Sequence, residues 1–173
     1  MRNNFDITGK VVLITGGSGL MGRAHAEAVA EFGAIPVIGD IDLEFAVEIL
    51  EDIHDKTGVK GDFVELDVTS TDSITGALQK LTSMYKRIDV LINNASGFFS
   101  TPIETATREQ WSSLLDTNVT VPLFLIQALK PMLESSNGCV INISDSEVSS
   151  GIPQYSLYSA AKAALESLTK SLA

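Results

Sequence analysis

The chain has 173 residues, 45% of them apolar and 20% charged, with a formal net charge of −10; this is enough for one domain with a substantial core and is ordinary for a soluble globular protein. The acidic balance argues against non-specific binding to nucleic acid or anionic membranes, and no run approaches the ~20 apolar residues of a membrane span. A single cysteine, Cys139, excludes an intrachain disulfide.

The opening MRNNFDITGK is polar and lacks the apolar stretch of a secretion signal, so a cytoplasmic location is expected. KVVLIT (10–15) reads as a buried strand: β-branched, nearly continuous and ended by glycines. Residues 20–33 read as a helix closed by Gly33, IPVIG (35–39) as a second strand, and 43–56 as a helix with Gly58 beyond its end. DFVEL (62–66) is a third strand, about 70–86 a helix, and IDVLIN (88–93) a fourth strand. A Gly/Ser/Pro loop (94–107) leads into a long helix, 108–134, interrupted near Asn118 and Pro122. CVINIS (139–144) is a fifth strand with Cys139 as core filler, and the chain closes in a helix over 156–173.

Alternation of apolar strands with amphipathic helices predicts a parallel sheet covered on both faces, doubly wound by right-handed crossovers, with strand order 3-2-1-4-5. One domain spanning 1–173 is expected, without repeats or linkers.

TGGSGLMG (15–22) follows the first strand and opens the first helix, the context a dinucleotide-binding turn requires. Gly16 permits the tight turn. Gly17, Ser18 and Gly19 let backbone approach a pyrophosphate, and Gly22 lets helix pack on sheet. The helix start supplies N–H groups to the anion. Asp40, at the end of strand two and eighteen residues past Gly22, can accept from both adenosine ribose hydroxyls and repel a 2′-phosphate. With no Arg or Lys in the turn or just after Asp40, the cofactor is read as NAD rather than NADP. Asp42 is read as the cap of the next helix.

TGGSGLMG, DVTS (67–70), NNAS (93–96), TNV (117–119), INIS (141–144) and YSAAK (158–162) occur in an order and spacing that resembles the short-chain dehydrogenase/reductase family. The resemblance implies a three-layer Rossmann domain. Its cofactor groove would be lined by Gly16, Ser18, Gly19, Leu20, Met21, Gly22, Asp40, Ile41, Asp67, Val68, Asn94, Ala95 and Ser96. Tyr158 is implied as acid/base. Lys162, on the same helix face at i+4, would tune the phenol and hold the nicotinamide ribose. Asn118 is implied to support a water-linked proton path. Pairing through the last two helices implies a homodimer or homotetramer.

Three departures matter. Leu20 stands where the family's usual pattern has glycine, a spacing similar to the branch acting on nucleotide sugars, which points to a carbohydrate-linked substrate. The family's serine falls thirteen residues before the tyrosine, on Asp145 between Ser144 and Ser146. An ionised aspartate cannot donate to a substrate oxygen and opposes phenol ionisation, so Ser144 is preferred for the donor role, with Ser146 as the other choice. The last helix still runs at Ala173, so the family's later strands are absent and the chain is read as a fragment.

The function expected is an NAD(H)-dependent oxidoreductase interconverting a small-molecule alcohol and a carbonyl. The alternatives are a nucleotide-sugar epimerase or dehydratase, and a non-catalytic NAD-binding sensor or scaffold, which Asp145 favours.

Overall fold

The computed structural model describes residues 6–173, apart from the side chain of Glu147. Segment 1–5, half of the polar opening read above, lies outside the described residues. The elements run β1 (Val11–Thr15), α1 (Leu20–Glu31), β2 (Ile35–Asp40), α2 (Leu43–Thr57), β3 (Asp62–Glu65), α3 (Thr71–Met84) and β4 (Val90–Asn93). They continue with α4 (Arg108–Leu115), a π-turn (Asp116–Thr120), α5 (Val121–Glu134), β5 (Cys139–Asn142), α6 (Glu147–Ser150), a 3₁₀ turn (Pro153–Tyr155) and α7 (Ser156–Leu172).

The sheet is parallel throughout with order β3-β2-β1-β4-β5, as the alternation required. Side chains alternate across it. On one face Val11, Leu13, Val37 and Leu91 pack with Leu81 of α3 and Leu125, Leu129 and Leu133 of α5. On the other, Val12, Ile14, Ile38 and Ile92 pack with Ala26 and Ala30 of α1 and Ile49 and Ile53 of α2. All five residues of β1 are buried, so the turn that follows it springs from the middle of the core. Among the described residues no helix is long and apolar enough to cross a membrane.

One sequence expectation is corrected. Cys139 is exposed, not core filler. It pairs with Val90 on the α1/α2 face, as Ile141 pairs with Ile92, at the edge of the sheet beyond the reach of those helices. The break expected in helix 108–134 near Asn118 and Pro122 is present, and it takes the form of a π-turn over Asp116–Thr120. Val121 N–H donates to Asp116 O, an i→i−5 bond, and Pro122, which has no N–H to donate, follows at the start of α5.

Candidate active site

The first βα turn is built around Gly16 and Gly22. Gly16 has φ +62°, and a Cβ on it would come within 3.1 Å of Ala95 Cα. A Cβ on Gly22 would lie 2.2 Å from Gly16 O, so only glycine lets α1 start this close to the turn. Asp42, Ser70 and Thr107 cap α2, α3 and α4 with side-chain oxygens, whereas α1 has Gly19 at its cap and no side-chain cap bond. The first-turn N–H groups of α1 therefore face the crevice with their partial positive charge unmatched by a side chain.

A cavity of about 650 Å³ lies at the carboxyl ends of β1, β2, β3 and β4. Of the residues expected to bind the cofactor, Gly16, Ser18, Gly19, Leu20, Met21, Asp40, Ile41, Asp67, Val68, Asn94, Ala95 and Ser96 line it, whereas Gly22, Tyr158 and Lys162 do not. Gly22 stands behind the wall as the helix–turn contact. Leu20 and Ile41 are 91% and 71% exposed, apolar surface that the cavity presents to a ligand. No lysine or arginine is among the lining residues. The cavity fits a dinucleotide: an anion-accepting helix start, a close-approach turn and a terminal carboxylate along one groove.

Several groove residues also hold one another. Asp40 Oδ2 accepts from Ser18 N–H at 2.8 Å and its Oδ1 from Asp42 N–H at 3.1 Å, so the carboxylate braces the glycine turn. Asp42 caps α2 through Phe45 N–H, as expected. Asp67 Oδ1 accepts from both the N–H and the hydroxyl of Thr69, which holds its carboxyl below the ordinary value. Asn94 Nδ2 donates to Thr15 O and Gly16 O, tying the end of β4 to that of β1. Thr15 Oγ1 in turn accepts from Asn94 and Ala95 N–H. The sequence reading did not single out Thr15, although a threonine immediately before the first glycine is where such a clamp must sit.

The second part of the site lies at the ends of β4 and β5. Tyr158 and Lys162 share the buried face of α7, with only 4% and 3% of their surface exposed. Lys162 Nζ donates to Ile143 O at 2.9 Å and lies 5.7 Å from the Tyr158 ring centroid. Ile143 N–H donates to Asn93 O, which places the lysine beside the residue that begins the Asn94–Ser96 groove wall. Burial pushes the Lys162 ammonium below its ordinary value, and the Asp145 charge opposes that. Asn118, in the π-turn, donates through Nδ2 to Leu114 O and Gly97 O and accepts from Ser96 Oγ at 2.7 Å. It thereby joins the groove wall to the helix break. Phe98, two residues past Ser96, stacks on Tyr155 at 4.7 Å and meets Tyr158 edge-on at 4.8 Å. Sequence reasoning missed Phe98, whose loop position carried no pattern.

The serine expectation meets a different arrangement. Ser144 Oγ donates to Glu166 Oε1 of α7 at 2.7 Å, so its proton is committed to a carboxylate. Ser146 is exposed, with Oγ 3.5 Å from Asp145 Oδ1. The side chain that receives the tyrosine's hydrogen bond is Asp145: Tyr158 Oη donates to its Oδ2 at 2.8 Å. β5 ends at Asn142, and the third residue past that end is the one presented to the phenol.

The model of the short chain dehydrogenase family matches residues 10–173. The chain is 34% identical over 167 residues to the 3-oxoacyl-[acyl-carrier-protein] reductase of Chlamydia muridarum, covering 96% of this chain and 67% of that one. It is 32% identical over 168 residues to the cyclopentanol dehydrogenase of a Comamonas strain, with the same two coverages. Among solved structures, the L-sorbose reductase of Gluconobacter frateurii complexed with NADPH and L-sorbose superposes with a TM-score of 0.90 at 27% identity, covering 97% of this chain and 65% of that one. The chain thus spans about two thirds of the length of the proteins it matches. With the glycine turn, the strand-end groove and the Tyr158–Lys162 face assembled as described, this chain belongs to the short-chain dehydrogenase family.

Proposed function

We propose that the protein is an NAD(H)-dependent oxidoreductase interconverting an alcohol and a carbonyl, with Tyr158 handling the proton. The observation that carries this is the buried Tyr158–Lys162 face beside the end of β4, where the dinucleotide groove also ends.

The bound nicotinamide supplies or accepts the hydride; the chain's residues do the rest. The α1 N-terminus and glycine turn bind the pyrophosphate. Asp40 accepts from the adenosine ribose, and Asp67 and Val68 flank the adenine. Asn94, Ala95 and Ser96 form the wall that orients the nicotinamide end. Lys162 places a cation behind the Tyr158 ring and holds the nicotinamide ribose. Tyr158 Oη exchanges the proton of the substrate hydroxyl. Asn118 keeps Ser96 and the π-turn in register with this face.

The choice of NAD over NADP is supported by Asp40 and Asp42 in a groove wall without a lysine or arginine: a 2′-phosphate there meets carboxylates and no cation. The sorbose reductase complex carries NADPH, so the two dinucleotides must be compared directly. A carbohydrate-linked secondary alcohol is the substrate class read from the glycine spacing, and a homodimer or homotetramer is the expected assembly.

The test is titration calorimetry with NAD and NADP, followed by turnover with secondary alcohols and sugars in the wild type and in Tyr158→Phe. The expected result is tighter binding of NAD, with preference reduced in Asp40→Ala, and a loss of turnover of about 10²-fold or more in Tyr158→Phe. Equal or tighter binding of NADP refutes the cofactor choice. NAD binding with no turnover would favour a non-catalytic NAD-binding module, the second reading, whose specific support is the Asp145 carboxylate on the phenol.

A further inference from the structure

Asp145 is the group that the proposed chemistry leaves unused. Its Oδ2 accepts from Tyr158 Oη at 2.8 Å. Neither neighbouring serine replaces it: Ser144 donates to Glu166, and Ser146 is exposed. Lys162, from the same helix as the tyrosine, lies 5.7 Å from its ring and feels the Asp145 charge, while Glu166, one turn further along α7, is bonded to Ser144. Phe98 and Tyr155 add uncharged rings.

A phenolate formed against this carboxylate would set two like charges at hydrogen-bond distance, which disfavours both. An ionised carboxylate, however, only accepts hydrogen bonds, and it is already receiving the phenol's proton. We propose that Asp145 is the proton acceptor behind Tyr158, so that the two side chains move the substrate proton as a relay in which the tyrosine never becomes a phenolate. This rests on the oxidoreductase reading above. In the oxidation direction the C–H electron pair of the alcohol leaves as hydride to the oxidised nicotinamide, which is the oxidant. The hydroxyl proton passes to Tyr158 Oη as the tyrosine's own proton passes to Asp145 Oδ2, and the carbon–oxygen bond becomes a carbonyl. Asp145 then releases that proton to water, and the sum is alcohol plus NAD⁺ giving carbonyl, NADH and H⁺. Oxidation therefore requires the carboxylate form of Asp145 and reduction the carboxylic acid form. Asp145 acts through Tyr158 and is a positioning residue in that sense.

The experiment uses the purified protein with Asp145→Asn, which keeps the side chain's shape, and Asp145→Ser, which supplies a neutral donor; circular dichroism verifies folding of each. Phenol ionisation is followed without cofactor by ultraviolet difference titration, with Tyr158→Phe subtracted to isolate Tyr158. The pH profile of alcohol oxidation is measured alongside. The relay predicts that Tyr158 ionises at lower pH in both variants than in the wild type. It also predicts that the acid limb of oxidation moves upward by about two pH units or more, with neutral-pH oxidation falling ~10²-fold. An unchanged limb and unchanged phenol titration in Asp145→Asn overturn the relay, as does faster neutral-pH oxidation in Asp145→Ser. If calorimetry shows that the wild type binds neither NAD nor NADP, the oxidoreductase reading fails and the relay with it; binding and turnover without these shifts remove the relay alone.

Discussion

A β-carbon on Gly22 would overlap the Gly16 carbonyl oxygen at 2.2 Å and crowd Gly17 Cα at 2.6 Å, both backbone atoms with nowhere to go. One on Gly19 would meet the same oxygen at 3.3 Å, a contact a small shift can relieve. Gly22→Ala is therefore expected to push α1 off the turn and weaken dinucleotide binding by roughly tenfold or more, about 1.4 kcal/mol. Gly19→Ala should do less, and calorimetry on the pair separates a steric cause from general loss of glycine. At the other end of the sheet Asp89 is a buried carboxylate that accepts from Lys10 Nζ, Arg87 Nε and Val11 N–H. Burial pushes its carboxyl up, but these donors together outweigh that and hold it below the ordinary value. A depressed carboxyl contributes stability that is complete above the unfolded-state value, near pH 4, and is lost as pH falls through the lower folded value. Asp89→Asn is thus expected to lower stability at neutral pH and to flatten this part of the acid limb in denaturant titrations taken at a series of pH values. An undiminished acid limb refutes the assignment. At this scale the sequence was partly legible. Gly22 and Asp42 could be read from spacing because each answers to its own local backbone. Ser144 could not, because which side chain past β5 meets Tyr158 depends on where the strand ends and where Glu166 lies on another helix.

Elements were legible in kind and order but not in their joints. The long helix after β4 was expected to break near Asn118 and Pro122. Its period and its proline were visible, but proline alone does not say whether a helix stops, kinks or widens. Here the widening is fixed by side-chain chemistry: Asn118 Nδ2 takes the Leu114 carbonyl and reaches across to Gly97 O, while Oδ1 accepts from Ser96. The asparagine is 1% exposed, so its three bonds have no water to replace them. Asn118→Ala is expected to cost about 1–3 kcal/mol. It should also reduce turnover more than it reduces NAD affinity, because the Ser96–Phe98 wall it braces leads to Tyr158 rather than to the pyrophosphate. Thermal melts with and without NAD, set beside kcat and the NAD dissociation constant, test both halves; equal losses in binding and turnover would contradict the brace.

Across the whole molecule, protection is uneven, and the two halves of the site sit at opposite ends of that gradient. β1 is hydrogen-bonded on both sides, by β2 and β4, and its five residues are buried. Among the described residues β5 has only β4 as a neighbour, and its residues alternate between exposed and half-buried, with Ile141 45% exposed. Strands paired on one side and packed on one face open at lower free energy than central ones. The glycine turn leaves the best-protected strand and Asp145 follows the least protected, so the dinucleotide half should survive openings that dissolve the Tyr158–Asp145 pair. Native-state hydrogen exchange is expected to rank the amides of β1 slowest, near global unfolding, and those of β5 faster by a few kcal/mol of opening free energy, on the order of 10²-fold or more in rate. Saturating NAD should slow exchange in the turn and at the Asn94–Ser96 wall more than in β5. Slow exchange of β5 equal to that of β1 would mean that the edge is covered by a second copy of the chain. In that case the geometry of the proton relay would be set by that partner as well as by α7.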